Sequence, residues 1–183
     1  MVWIHGGGNT TGMPSEYNPE IFVKTENIIF VSMSYRLGFF GWLSHPLIRE
    51  QSGLNASSNF GLLDQIMAVQ WVKNNIQFFG GNPNNITIFG ESAGGQDVIA
   101  LYTSPIAKGL FERAISQSGG TSVTSIADAE KINRYDSTLK NNYKYRHLTT
   151  EEWIDVLYKK GLINSKFDDE ELLSDLRSLS SHD

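Results

Sequence analysis

The sequence contains no cysteine, no long apolar run and no basic cluster, and each absence excludes a class of protein. Without a cysteine among its 183 residues, the chain can form no disulfide, thiolate nucleophile or cysteine-ligated zinc site. No apolar run reaches the roughly 20 residues that a membrane-spanning helix requires. The net charge of −5 and the lack of a Lys/Arg cluster argue against nucleic acid as a partner. The composition, with 40% apolar and 19% charged residues, is typical of a folded globular domain.

Glycine and charge are distributed unevenly along the chain. Residues 1–120 carry 16 of the 17 glycines but only 14 of the 35 charged side chains. Glycine occurs where the backbone adopts a positive φ or approaches a ligand closely, so this segment is predicted to be a tightly turned core that holds the functional site. Residues 121–183, with one glycine and 21 charges, are predicted to form solvated helices.

Within residues 1–120, apolar β-rich runs alternate with helical patterns, which predicts an α/β fold with a sheet fed by crossover connections. The predicted strands are residues 2–5, 28–34, 85–89 and 114–117. The predicted helices are residues 59–79 and 93–102. In the charged segment, one helix is predicted from a capping box at residues 149–152 to Gly161, and another begins near Asp168.

The pentapeptide GESAG (90–94) follows a predicted strand and precedes a predicted helix. A nucleophilic serine on such a turn needs small neighbours because the backbone there is sharply bent and strained. The helix N-terminus would direct its N–H groups and positive dipole end at Ser92, which favours an oxyanion beside it. Taken alone, the pentapeptide is equally compatible with a glycine-bounded turn or a helix N-cap serine. Its position between strand and helix favours the nucleophile.

A second glycine-rich segment, HGGGN (5–9), follows the first predicted strand. Consecutive glycines allow bare backbone N–H groups to converge on one point, as the binding of an oxyanion requires. A phosphate-binding P-loop is also glycine-rich, but it carries a Lys followed by Ser or Thr, a pair that this segment lacks. The alternative for this segment alone is a tight turn without further function. Together with the GESAG turn, an oxyanion loop is favoured.

These motifs belong to five blocks that resemble the type-B carboxylesterase family (carboxylesterases and cholinesterases) of the α/β-hydrolase superfamily. The blocks are VWIHGGG (2–8), SYRLGFFGWLS (34–44), NFGLLDQ (59–65), AVQWVKNNIQFFGGNPNNITIFGESAGG (68–95) and SPIAKGLFERAISQSGG (104–120). The resemblance implies part of an α/β-hydrolase fold, with a central, mostly parallel sheet and flanking helices in residues 1–120. It also implies that the helical residues 121–183 begin the cap region of one incomplete domain.

The resemblance further implies a serine carboxylesterase that acts on a small-molecule carboxylic ester without a metal or cofactor. Ser92 would be the nucleophile that accepts the acyl group. The backbone N–H groups of Gly7, Gly8 and Ala93 would form the oxyanion hole that binds the negative oxygen of the tetrahedral intermediate. An acyl-enzyme intermediate would then be hydrolysed by water.

Other positions are assigned supporting roles or depart from the family pattern. Glu91 would be the buried acid next to the nucleophile, and Ser118 matches a serine that supports the site in the family. Asn9 stands where the family often has an aromatic residue. Gln96 and Asp97 replace small residues early in the nucleophile helix, and Asp97 is expected to be an outward-facing carboxylate without a catalytic role.

A serine esterase also needs a histidine base and an acid, which follow the nucleophile in the order acid, then histidine. His5 and His45 precede Ser92, and the resemblance assigns to His5 the ordering of the glycine loop. His147 and His182 follow Ser92 but lie in the charged helical segment. The chain is therefore expected to be an internal fragment of a longer esterase and inactive by itself. The alternatives are a non-catalytic cholinesterase-like interaction module, or a lipase, amidase or thioesterase of the same superfamily.

Overall fold

The computed structural model describes residues 1–51, 59–121, 123, 125–126 and 150–180. The chain divides into two compact units. The first unit comprises Met1–Leu43 and Asn59–Val123, and the second comprises Ser44–Ser58 and Thr124–Asp183. The change in glycine and charge content near residue 120 therefore lies close to the point where the chain passes from the first unit to the second.

A four-stranded parallel sheet forms the centre of the first unit. Its strands are β1 (Val2–Ile4), β2 (Val31–Ser32), β3 (Thr87–Glu91) and β4 (Arg113–Gln117), arranged in the order β2-β1-β3-β4. In the register of β1 and β3, Ile4 is paired with Gly90. Because the carboxyl ends of parallel strands meet at one edge of the sheet, the loop after β1 and the turn after β3 leave the sheet side by side.

Helices connect these strands and also form the described part of the second unit. The α-helices are α1 (Glu20–Glu26), α2 (Gly38–Trp42), α3 (Pro46–Gln51), α4 (Phe60–Asn75), α5 (Ala93–Thr103), α6 (Thr150–Lys159) and α7 (Asp169–Ser178), and short 3₁₀ helices lie at Pro14–Glu16, Ile76–Phe79 and Pro105–Ala107. The helix predicted over residues 59–79 thus ends in a 3₁₀ turn, which Gly80 terminates with φ +82°. A glycine in the left-handed region is a common helix stop because it has no Cβ to clash.

The core of the first unit lies between the sheet and the helices α4 and α5. Along each helix the buried apolar residues recur at three- or four-residue intervals, so one face of each helix contacts the sheet. The core residues are Val2, Ile4, Met33, Tyr35, Val69, Val72, Ile76, Ile86, Ile88, Val98, Leu101, Ala107 and Leu110. Burial of one large aliphatic side chain of this kind stabilises the fold by about 1.5–3 kcal/mol.

Two strands differ from their predicted bounds by more than one residue at an end. The second strand, predicted over residues 28–34, is limited to Val31–Ser32. Among the described strands it pairs with β1 alone, through Val31 with Val2 and Ser32 with Trp3. The third strand, predicted over residues 85–89, is Thr87–Glu91 because its pairing with β4 continues to the Glu91–Gln117 pair.

The second unit contains α3, α6 and α7. Both helices predicted in the charged segment are confirmed as α6 and α7, although the start of the predicted capping box, Thr149, lies outside the described residues. The side chain of Asp168 caps α7 by accepting a hydrogen bond from the backbone N–H of Glu171 at 2.8 Å. Leu172, Leu173 and Leu176 form the buried face of α7. Within the described ranges, no helix combines the length and apolarity that a membrane crossing requires.

Candidate functional site

Ser92 occupies the turn between β3 and α5 in a conformation that non-glycine residues rarely adopt. Its backbone has φ +57° and ψ −120°, and such a conformation costs on the order of 1–3 kcal/mol unless the surroundings fix it. The Ser92 N–H donates to the carbonyl oxygen of Gln117 at 2.9 Å, and the Ser92 carbonyl accepts from the N–H of Gln96 at 3.0 Å. Ser92 is nevertheless exposed, so the turn holds its side chain toward solvent at the edge of the sheet.

The glycines on either side of Ser92 are required by space. A Cβ added at Gly90 would lie 2.6 Å from the carbonyl oxygens of both Gly94 and Ile4. A Cβ at Gly94 would overlap the carbonyl oxygen of Ile4 and lie 2.7 Å from that of His5. Since real Cβ atoms do not approach backbone oxygen this closely, any side chain here would separate α5 from the end of β1. The sequence G-x-S-x-G is thus what lets the nucleophile candidate sit against the glycine loop.

The glycine loop after β1 turns directly beside Ser92. Gly7 and Gly8 have φ of +104° and +63°, which side chains would oppose. The Gly7 carbonyl accepts hydrogen bonds from the N–H groups of Thr10 and Thr11, both at 3.1 Å. A Cβ at Gly6 would lie 3.2 Å from the Cβ of Ser92. Gly6 is buried whereas Gly7 and Gly8 are exposed, so bare backbone faces solvent next to the serine.

His5 is buried beneath this loop, with 1% of its surface exposed. Its ring stacks on Tyr35 with 4.5 Å between ring centroids, and its Nδ1 lies 2.8 Å from the carbonyl oxygen of Gly6. The Tyr35 hydroxyl donates to the carbonyl oxygen of His5 at 2.6 Å. Burial, together with the nearby Asp97 carboxylate, raises the pKa of Tyr35 well above its ordinary value. Tyr35 therefore stays a protonated donor near neutral pH, and the His5 ring is used to hold the loop.

Asp97 is buried, so the expectation of an outward-facing carboxylate is wrong. Only 3% of its surface is exposed. Its Oδ1 accepts from Nδ2 of Asn9 at 3.1 Å, and its Oδ2 accepts from Nε2 of Gln65 at 2.6 Å. Burial raises the pKa of Asp97, while the hydrogen bonds from Gln65 and Asn9 and the nearby His5 ring oppose that rise. The missed signal was helical spacing, because Asp97 lies three residues after Gly94 and therefore on the helix face that contacts β1.

Asn9 connects this carboxylate to the glycine loop. Its backbone has φ +56°, a left-handed conformation that asparagine tolerates better than most residues. Its carbonyl oxygen accepts from the N–H of Gly38 at 2.6 Å, and its Oδ1, 3.2 Å from the Tyr35 hydroxyl, shares the proton of that hydroxyl with the carbonyl oxygen of His5. We refer to the hydrogen-bonded side chains of Asn9, Tyr35, Gln65 and Asp97 as the Asn9–Asp97 clasp. The clasp joins the end of the glycine loop to α4 and α5.

The remaining predicted site residues lie around the same turn. Ala93 is the first residue of α5 and is buried, and Glu91 is half-buried, with its Oε2 3.3 Å from the position of a Cβ at Gly6. Ser118 is exposed, with φ +53°, and directly follows Gln117, whose carbonyl holds the Ser92 N–H. The structure therefore brings the predicted nucleophile, glycine loop and supporting residues to one edge of the sheet.

No described side chain forms a hydrogen bond with the Ser92 hydroxyl. Of the four histidines, His5 is bound within the loop and His45 belongs to the second unit. The other two, His147 and His182, lie outside the described residues. In the part of the chain that the structure describes, no three His, Asp or Glu side chains are grouped so that they could hold a metal ion.

The sequence and the fold are similar to those of known hydrolases. A family model described as "Carboxylesterase family" matches residues 1–167. Carboxylesterase 1D of Rattus norvegicus is 46% identical over 141 residues, which cover 76% of this chain and 24% of that protein. The precursor of a medium-chain fatty acyl-CoA hydrolase of Anas platyrhynchos is 48% identical over 119 residues, which cover 65% of this chain and 20% of that protein.

Among solved structures, a PNB esterase superposes with a TM-score of 0.74 and 34% sequence identity, covering 99% of this chain and 33% of the esterase. The chain spans between a fifth and a quarter of the length of these curated relatives.

Proposed function

Because the chain belongs to the carboxylesterase family and has the α/β-hydrolase fold, we propose that the whole protein is a serine carboxylic ester hydrolase. The observation that carries this proposal is the exposed Ser92, held at φ +57° directly beside the glycine loop. A reactive serine needs both an exposed hydroxyl and nearby donors for the charge that develops on the substrate. We also propose that residues 1–120 contribute the core of this hydrolase and that residues 121–183 begin its cap.

In the proposed reaction, Oγ of Ser92 attacks the carbonyl carbon of the ester and the carbonyl oxygen becomes an oxyanion. The N–H groups of Gly7, Gly8 and Ala93 donate hydrogen bonds to that oxygen. The bond between the carbonyl carbon and the alcohol oxygen then breaks, leaving an acyl-enzyme that water hydrolyses to the carboxylic acid. A histidine supplied by the rest of the protein would take the Ser92 proton and return it to the departing alcohol.

A thioester is the second candidate substrate, and the similarity to a medium-chain fatty acyl-CoA hydrolase favours it. Thioester hydrolysis would use the same nucleophile and oxyanion donors and differ only in the leaving group, a thiol instead of an alcohol. Comparing kcat/KM of the whole protein for a medium-chain p-nitrophenyl ester and the corresponding acyl-CoA distinguishes the two. The higher value for the ester would support the carboxylesterase assignment.

The proposal is tested by replacing Ser92 in the whole protein. Ser92→Ala is expected to lower kcat for a p-nitrophenyl ester by about 10⁴-fold or more, because the acyl group has no acceptor. The matched control is Ser15→Ala, which makes the same chemical change at an exposed serine of the 3₁₀ helix Pro14–Glu16. Hydrolysis that survives Ser92→Ala would contradict the proposal. A folded whole protein that hydrolyses no ester or thioester would instead favour the non-catalytic interaction module.

A further inference from the structure

The proposed reaction leaves the buried carboxylate of Asp97 without a role. An ionised carboxylate that is 3% exposed is costly unless donors satisfy it, and both of its oxygens have a donor, one from Asn9 and one from Gln65. These donors come from the glycine loop and from α4, so three separate segments meet at this carboxylate. Such an arrangement fixes the relative position of the segments rather than taking part in the chemistry directly.

We propose that Asn9 and Asp97 are positioning residues that hold the oxyanion donors of the glycine loop in register with those at the start of α5. This inference rests on the proposed function. Asp97 lies four residues after Ala93, one turn along the same helix. The clasp therefore links the two separate sources of the proposed oxyanion donors, the loop and the helix N-terminus.

The loop is anchored at both ends, and the clasp is one of two contacts that anchor its far end. At the near end, β1 is paired in the sheet and a Cβ at Gly6 would touch the carbonyl of Glu91. At the far end, the Asn9 carbonyl is held by the Gly38 N–H at 2.6 Å and the Asn9 side chain by Asp97 at 3.1 Å. Gly7 and Gly8 lie between these anchors, and as glycines they have no side chain that could pack against the neighbouring segments. Release of the Asn9 side chain would therefore let the far end of the loop shift, and Gly7, whose carbonyl is bonded to the N–H groups of Thr10 and Thr11, would move with it.

Charge determines which way the Asn9 amide faces. An ionised carboxylate only accepts hydrogen bonds, so Asn9 must present Nδ2 to Asp97. Its Oδ1 is then left to accept from the Tyr35 hydroxyl at 3.2 Å. The titratable groups near Asp97 are the His5 ring and this hydroxyl, and the contact from α4 is the neutral Gln65. A carboxylate at position 9 would consequently be repelled by Asp97, whereas exchanging the two side chains would preserve every hydrogen bond.

The test uses three variants of the whole protein: Asn9→Asp, Asp97→Asn and the double exchange. Asn9→Asp retains size and tolerance of positive φ, but it places a second carboxylate against Asp97. We expect kcat for a p-nitrophenyl ester to fall about 10- to 100-fold, because displaced donors stabilise the transition state less. KM should change by about threefold or less, since the lost interaction forms mainly in the transition state.

The pH profile and the double exchange separate this role from a general loss of folding. In Asn9→Asp, the two adjacent carboxyl groups share a proton at low pH and repel each other once both are ionised at higher pH. The kcat of Asn9→Asp, divided by that of wild type, should therefore fall as pH rises. In the double exchange, the carboxylate at position 9 accepts from Tyr35 and from the introduced amide, and that amide oxygen accepts from Gln65. Its kcat should return to within about threefold of wild type. Asp97→Asn alone should lower kcat by less than Asn9→Asp does, because the Asn9 amide can turn over and donate to the Tyr35 oxygen.

If circular dichroism shows that Asn9→Asp is not folded, Asn9→Gly is used to test the same positioning role. It removes the clasp while leaving positive φ accessible, and it should lower kcat at least about 10-fold with little change in KM. Wild-type kcat in the folded Asn9→Asp or Asn9→Gly variant, or a double exchange as impaired as Asn9→Asp, would overturn the inference. If Ser92→Ala remains active, the proposed function itself fails. If Ser92→Ala is inactive and Asn9→Asp is normal, only the positioning role fails.

Discussion

Gly94 in the first unit and Gly161 in the second both lie at an end of a helix, but glycine is required at the two positions for different physical reasons. Gly94, in the first unit, has a helical backbone but no room for a side chain, because a Cβ would overlap the carbonyl oxygen of Ile4. Gly161, in the second unit, has open space around it but a left-handed backbone with φ +69°. It ends α6 with its N–H donating to the carbonyl of Tyr158 at 3.0 Å. The first glycine is required by packing at the site, and the second by the local geometry of one helix end.

The difference indicates how each unit tolerates change. A close approach between two backbones cannot relax unless a strand and a helix move apart, so the penalty extends to everything that depends on their spacing. A left-handed residue at a helix end costs only the local preference of one backbone angle. We therefore expect substitutions around Ser92 to affect both stability and activity, and substitutions at the helix ends of the second unit to affect stability alone.

The largest effect in this comparison is expected from Gly94→Ala. The added methyl group would force α5 away from β1, costing about 4 kcal/mol or more in the free energy of unfolding. It would also lower kcat/KM for a p-nitrophenyl ester by more than about 100-fold in any folded fraction, because Ser92 and the loop would separate. The measurements are urea denaturation and ester hydrolysis with the whole protein.

Gly161→Ala is the matched control, since it adds the same methyl group at a glycine with open space around it. It should cost only about 1–2 kcal/mol, the penalty for a left-handed alanine, and leave kcat/KM unchanged. Equal losses of stability for the two variants, or an active and stable Gly94→Ala, would remove the distinction between the two glycines.

A smaller effect, with a characteristic pH dependence, is expected from Asp97→Asn. Because burial raises the pKa of Asp97 in the folded state, the folded protein binds the carboxyl proton more tightly than the unfolded chain does. Stability from this group is therefore present at low pH and decreases as pH rises through the raised pKa. Asparagine does not ionise, so Asp97→Asn should gain on the order of 1 kcal/mol relative to wild type at neutral pH, and this gain should vanish below about pH 4.

The measurement is the urea midpoint of both proteins between about pH 2 and pH 8, because the ordinary pKa of an Asp side chain is about 4. Asp64→Asn provides a control of opposite sign, because hydrogen bonds and charge from Arg36 more than offset the burial of Asp64 and lower its pKa. Its difference from wild type should be a loss of stability that is greatest at neutral pH and shrinks as pH falls. A gain from Asp97→Asn that is constant with pH would show that the buried carboxylate is not the cause.

Features that depend on residues adjacent in the sequence were predictable from the sequence. The turn at Ser92 lies between a strand and a helix as predicted, since apolar periodicity and flanking glycines are both local signals. The length of β2 was not predictable in this way, because a strand is defined by its pairing with another segment, here Val2 and Trp3 of β1. Helical spacing from Gly94 indicates that Asp97 is buried, but its partner Asn9 is 88 residues away, and only the folded chain brings the two together.

Covalent labelling of Ser92 tests the central proposal most directly. When the whole protein is mixed with a p-nitrophenyl ester and quenched with acid within the first turnover, peptide mass spectrometry should find the acyl group on Ser92. The Ser15→Ala variant should carry the same label, and the Ser92→Ala variant none. An acyl group on another residue, or hydrolysis without any acylated intermediate while Ser92→Ala remains active, would contradict the assignment of Ser92 as the nucleophile.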